Sequence, residues 1–160
     1  MNPKTPTFKQ LLSNPIHFLA FGFGSGLSKK APGTMGTLAA VPLFMLLAHF
    51  GENIYLVVMV LVILTGSWIC GKTAEDLGVH DHGGIVWDEF AGYLLTMYWV
   101  DATFLNIVLG FFYFRIFDIF KPWPISYLDA ELKGGVGIMV DDLVAAIMAA
   151  ACLYLTNLWI

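Results

Sequence analysis

Two pairs of adjacent carboxylates carry the most chemistry in this chain. Asp88 and Glu89 sit near the start of the apolar stretch 83–100, GGIVWDEFAGYLLTMYWV, and Asp141 and Asp142 stand directly before LVAAIMAAACLYL. A fifth carboxylate, Asp118, lies in FRIFDIFKP between Arg115 and Lys121. Residues three apart share a helix face, so Arg115, Asp118 and Lys121 form one row, and Pro122 discourages the helix from continuing. An Arg, an Asp and a Lys on one face suit both a phosphate and a metal. The same three residues also fit an ordinary helix end, with basic groups on the dipole and Asp118 paired to Arg115.

Ionisable groups bordering apolar helices are functional candidates, because lipid exposure is costly. Asp141 or Asp142 alone would serve as a helix N-cap, but a cap needs only one carboxylate. Adjacent helical residues point about 100° apart, so one member of each pair can face inward while its neighbour braces it or reaches a second ion. Converging from three helices, Asp88, Glu89, Asp118, Asp141 and Asp142 would repel one another, and a divalent cation relieves that repulsion. An all-oxygen, carboxylate-rich set favours Mg²⁺, Mn²⁺ or Ca²⁺ over softer metals.

APGTMGT, residues 31–37, places small residues at a helix entrance. Free amides there attract anions, and Thr34 and Thr37 can donate hydroxyls. An ordinary cap with Pro32 and Gly33 as its turn reads equally from these residues. Lys29 and Lys30 lie just upstream. The run GFGSG lacks the G-K-[ST] ending of a P-loop, so flexibility or close packing accounts for it better than phosphate binding. His80, Asp81 and His82 form a polar cluster suited to metal binding or proton transfer, and equally to a solvated loop. His17 and His49 have no companions in the sequence.

The elements that must position these groups are apolar. The chain has 160 residues, 58% hydrophobic and only 12% charged, with mean hydropathy +0.75. Soluble domains carry about twice that charge fraction, so the bilayer is the expected solvent. The net charge of -4 and the lack of a basic stripe exclude nucleic acid as a partner. Cys70 and Cys152 are isolated in apolar runs and read as packed thiols. No removable signal peptide is expected.

Five apolar segments, 35–50, 53–71, 85–100, 102–117 and 143–160, predict an all-α, polytopic membrane bundle of about five helices. A crossing takes roughly 20 residues, so several are short. Segment 11–27, interrupted by Pro15 and glycines, reads as interfacial or re-entrant rather than spanning. Residues 1–160 form a single membrane-embedded domain, with 1–33 as its N-terminal cytoplasmic or interfacial part. With the N-terminus inside and five crossings, all 8 Lys and Arg residues fall on one side, which the positive-inside rule makes cytoplasmic. The acids gather there too, all but Glu52 and Asp101, and charge sorting alone does not explain that.

Two functions compete. A metal-assisted enzyme acting on a phosphorylated lipid would gather charge at one membrane face. An ion-coupled transporter using the carboxylates as a cation path would place them nearer mid-membrane, often in duplicated halves. No duplication is visible, and the enzyme reading leads. Motifs for phosphocysteine, phosphohistidine and alcohol-phosphotransfer chemistry are absent, which leaves metal-assisted hydrolysis with Arg or Lys holding the phosphate.

The blocks GFGSGLS, APGTMGT, VHDHGGIVWDEFAG, FRIFDIFKPWPI and LKGGVGIMVDDLVA, in this order, resemble the phosphatidylglycerophosphatase A family of bacterial membrane phosphatases. The resemblance implies Mg²⁺-dependent dephosphorylation of phosphatidylglycerophosphate to phosphatidylglycerol in phospholipid biosynthesis. It places the protein as a multi-pass protein of the bacterial inner membrane, with its active site toward the cytoplasm, and no obligate protein partner is evident from the sequence. It makes Asp88, Glu89, Asp118 and Asp142 the expected catalytic set, joined by Asp141 as metal ligands. Thr34, Thr37, Arg115 and Lys121 become the expected phosphate-binding residues.

Overall fold

The computed structural model describes residues 5–79 and 82–159, all helix, turn or loop with no strand among them. Two short helices come first, α1 (Phe8–Leu12) and α2 (Pro15–Ala20), followed by a 3₁₀ segment, Gly22–Leu27. Thr7 closes a capping box on α1, and the Asn14 side chain caps α2 ahead of Pro15, a residue suited to a first helical position. None of these pieces is long enough to cross a bilayer, in line with the expectation for segment 11–27. His17 departs from expectation, because its Nε2 lies 3.0 Å from Asp76 Oδ2 in the helix Glu52–Leu77.

Among the described residues, three helices are long and apolar enough to span: α3 (Pro32–Phe50), α4 (Glu52–Leu77) and α8 (Gly134–Asn157). Between them run α5 (Trp87–Met97), α6 (Phe104–Phe120) and the short α7 (Ile125–Glu131). At 1.5 Å per residue, the 11 residues of α5 cover only about 16 Å, so α5 cannot cross alone. It is instead the buried centre, with Phe90, Ala91, Tyr93, Leu94 and Met97 almost fully enclosed. The count of five apolar spans is therefore not what the helix lengths give, although the architecture is all-helical and suited to a membrane.

α8 packs against α4, α5, α6 and α7. Its inner face carries Ala145, Ala146, Ala149 and Ala150, small residues that let neighbouring backbones approach. The closest approach is at Gly135, where any Cβ would strike the Ser67 carbonyl of α4. Outward, Val57, Leu61, Leu64 and Trp68 of α4 form an exposed apolar stripe at helical spacing. Phe112, Ile116, Ile119 and Phe120 of α6 are exposed likewise. Such faces have no stable partner in water and a ready one in lipid.

Candidate active site

The N-terminal end of α5, the C-terminal end of α6, α7 and the first turns of α8 meet around a cavity of about 240 Å³. Asp88, Glu89, Asp118, Asp141, Asp142 and Lys121 all line it, so the five predicted carboxylates share one space. Asp88 and Glu89 occupy the first turn of α5, where the helix dipole favours negative charge. Asp141 and Asp142 are not caps. Helix α8 starts at Gly134 after the non-capping Lys133, so both lie two turns inside it, each under a tenth exposed.

Arg115 ties the site together. Its Nη1 contacts Asp118 Oδ2 at 2.5 Å and Glu89 Oε1 at 3.7 Å, and donates to Thr37 Oγ1 at 3.4 Å. The pairing of Arg115 with Asp118 across one helix turn, legible from their spacing, thus extends to α5 and α3. Thr37, fully buried, also donates to the Gly33 carbonyl at 3.0 Å. Thr34 is half-buried, makes no side-chain hydrogen bond and does not line the cavity. Lys121 leaves the row it was expected to continue. Its backbone turns left-handed (φ 40°) and swings the ammonium to Asp141 at 2.5 Å and Asp129 at 2.7 Å. Partial burial pulls that ammonium down, but the hydrogen bonds and charges of Asp129 and Asp141 outweigh it, and Lys121 titrates above its ordinary value. Asp129, on α7, was not singled out by any motif. Only its place among the acids of the charged face pointed to it.

The carboxylates outnumber their cations. Asp118, Asp88 and Asp141 all bear on Asp142, which has no ion-pair partner among the described residues. Oxygens of Asp88, Glu89 and Asp142 lie within 4.8 Å of one another. Buried and without a hydrogen-bond partner are Glu89 Oε2, Asp141 Oδ1 and Asp142 Oδ2. Buried oxygens of this kind demand compensation, and a hard divalent cation fits them in number and chemistry. His80 and Asp81 lie outside the described residues. His82 is buried, with Nδ1 accepting from the Gly84 amide at 3.0 Å, and does not line this cavity.

Gly33 is a site residue that sequence reasoning missed. A Cβ there would collide with Glu89 Oε1 and crowd two guanidinium nitrogens of Arg115 at 3.2 and 3.3 Å. Its absence lets the first turn of α3 close over the Glu89–Arg115 pair. Gly33→Ala is expected to lower turnover roughly 10²-fold through misplacement of these groups, with helicity in detergent unchanged. Wild-type turnover would remove the requirement for that close approach.

A second cavity, about 710 Å³, opens at the opposite end of the bundle, where Glu52 and Asp101 are the only charged residues among its described lining. With no cation it is unsuited to an anion, and the separation of these two acids from the others persists in three dimensions.

The fold and site together define a membrane-embedded helical protein with an oxygen-rich, carboxylate-dominated centre at one end of its bundle. Residues 18–157 match the sequence profile of the family described as Phosphatidylglycerophosphatase A. The chain is 49% identical over 144 residues to "Phosphatidylglycerophosphatase A" of Escherichia coli (strain K12), covering 89% of this chain and 84% of that protein. It is 46% identical over 161 residues to the protein of the same name from Haemophilus influenzae, covering 99% of each. A "Putative phosphatidylinositol-3-phosphatase" of Bacteroides thetaiotaomicron is 34% identical over 153 residues, covering 90% of this chain and 91% of that protein. The chain belongs to the phosphatidylglycerophosphatase A family. No solved structure matches it.

Proposed function

We propose that this membrane protein hydrolyses the terminal phosphate monoester of phosphatidylglycerophosphate, giving phosphatidylglycerol and inorganic phosphate, with Mg²⁺ as its cofactor. The site faces the cytoplasmic side of the bacterial inner membrane in this reading, which the gathering of Lys and Arg at that end supports. The observation that carries the reading is the charge imbalance of the cavity. Six carboxylates, Asp129 included, face two cations, Arg115 and Lys121. A phosphate dianion would be repelled from that surround unless divalent charge entered with it.

Asp88 and Asp142 would hold the cation next to Glu89, with Asp118 and Asp141 on the adjoining walls of the cavity. Bound Mg²⁺ would supply Lewis-acid polarisation of the phosphoryl oxygens and lower the pKa of water. The protein's own groups do the rest. Arg115 and Lys121 orient the phosphate, the guanidinium by its planar fork and the ammonium as a point charge. Glu89 is held through Oε1 by Arg115, which leaves Oε2 open to accept the proton of an attacking water. Water oxygen bonds to phosphorus, the bond from phosphorus to the glycerol oxygen breaks, and the proton returns to that departing oxygen. Burial among Ile85, Leu132 and Ile138 limits competing solvent.

Purified protein in mixed micelles is expected to release phosphate from phosphatidylglycerophosphate with Mg²⁺ and to stop when chelator is added. Mg²⁺ should also raise the thermal midpoint, by about 2.7 kcal/mol of stabilisation at a hundredfold excess over Kd. Release that is indifferent to chelator would overturn the metal assignment, and no release from folded, Mg²⁺-loaded protein would overturn the substrate.

A further inference from the structure

Beside the carboxylate cavity lies a chamber of about 430 Å³ that the hydrolytic chemistry leaves unused. Gly83 lines both spaces. A Cβ on Gly83 would meet no described atom within 4 Å, so no described side chain crowds that shared wall. Ser28, Lys29, Pro32 and His82 line the chamber, and Phe8 stands at its edge.

The chamber is built by close packing rather than left by chance. Gly26 lies so near the Gly84 carbonyl that no side chain fits between them, and the Val86 amide donates to the Ala20 carbonyl at 2.8 Å. The GFGSG run therefore serves as a packing surface that docks the loop before α5. This docking holds His82, 7% exposed, with the Phe21 ring 5.4 Å away. Because His82 Nδ1 accepts from the Gly84 amide, the neutral ring carries its proton on Nε2 and is a donor there. Lys29 is exposed and takes part in no ion pair among the described residues. A buried N–H donor and an uncommitted ammonium on one chamber, with no carboxylate among its described lining residues, are the chemistry of an anion subsite.

Phosphatidylglycerophosphate carries two phosphates, a terminal monoester and an internal diester, separated by one glycerol unit. Its order from membrane to water is acyl chains, diester, glycerol, monoester. The two spaces meet at Gly83, so an anion held by Lys29 and His82 would neighbour one held in the carboxylate cavity. Phe8, about half exposed, also lines the chamber. We propose that this chamber binds the internal phosphodiester through Lys29 and His82, and so selects a lipid bearing both phosphates over one with a lone monoester. The assignment rests on the proposed function and adds a residue-level basis for its specificity.

The test is steady-state hydrolysis of phosphatidylglycerophosphate by the full chain in mixed micelles, with two competing inhibitors. Phosphatidylglycerol presents a diester and no monoester, whereas inorganic phosphate presents only the monoester-like anion. Lys29→Gln, at an exposed position, and His82→Gln should each raise KM and the phosphatidylglycerol inhibition constant about tenfold, the scale of one lost charge-assisted contact. The inhibition constant for inorganic phosphate should not move, and kcat should stay within about twofold. Unchanged KM and phosphatidylglycerol inhibition in Lys29→Gln would overturn the subsite, as would an equal rise for inorganic phosphate, which would indicate general charge attraction. Active wild type with indifferent variants would remove this subsite alone. Wild type inactive on the substrate would remove the proposed function and the subsite with it.

Discussion

Asp142→Asn is expected to lower phosphate release by about 10²–10⁴-fold, the range for loss of a proton-transfer or ligand group, while making the metal-free protein more stable. The two effects have one cause. Asp142 is 4% exposed, is crowded by Asp118, Asp88 and Asp141, and has no ion-pair partner among the described residues. Changing one oxygen to an amide removes a repulsive charge at almost constant volume. In chelator the thermal midpoint should therefore rise, and the Mg²⁺-induced rise seen in wild type should shrink. Glu89→Gln should be as inactive but nearly neutral in chelator, because Glu89 also has an attractive partner in Arg115. A site that trades stability for function behaves in this way. Turnover near wild type in Asp142→Asn would sink the assigned site. A lower midpoint in chelator would instead mean that Asp142 is held by attraction.

Arg115→Gln should give the opposite stability result with a similar loss of turnover. The guanidinium contacts Asp118 and Glu89 and donates to Thr37, joining α6, α5 and α3 at about an eighth of its full exposure. Removing one partner of a buried pair leaves uncompensated charge, at about 3–5 kcal/mol. Here two carboxylates lose their cation together. Turnover should fall by 10²-fold or more, since the phosphate loses its planar donor. Arg115→Lys should recover little, because an ammonium cannot reproduce the fork. Unfolding in detergent checks the stability arm, and phosphate release with Mg²⁺ checks the other. Wild-type stability in Arg115→Gln would show that solvent already compensates Asp118 and Glu89. The contrast with Asp142→Asn matters most: two substitutions in one cavity should shift the midpoint in opposite directions.

Apolar composition, helical segments, paired acids at helix ends and the Arg115–Asp118 row were all legible in the sequence, because each depends on residue type and short-range periodicity. So was convergence of the acids: helices of opposite polarity, joined by short turns, bring their charged ends to one face. The start of α8 was not legible. Gly134, Gly135 and Gly137 read as a loop by propensity, since glycine in a helix costs about 1 kcal/mol relative to alanine. They are helical because contact with α4 requires the missing Cβ at Gly135, and this puts Asp141 and Asp142 in the buried wall, so neither is the cap that one of them alone could have been. The shortness of α5 was hidden for a similar reason, because an apolar run reads alike whether lipid or protein surrounds it.

The sequence by itself determined which groups are available and which end of the bundle they occupy, through residue chemistry and local period. Only the tertiary structure decided their partners: Lys121 turning away to Asp129 and Asp141, Gly33 admitting α3 onto Glu89 and Arg115, His82 accepting from the Gly84 amide beside a separate chamber. Those choices depend on distances between segments far apart in the chain, and only packing sets such distances.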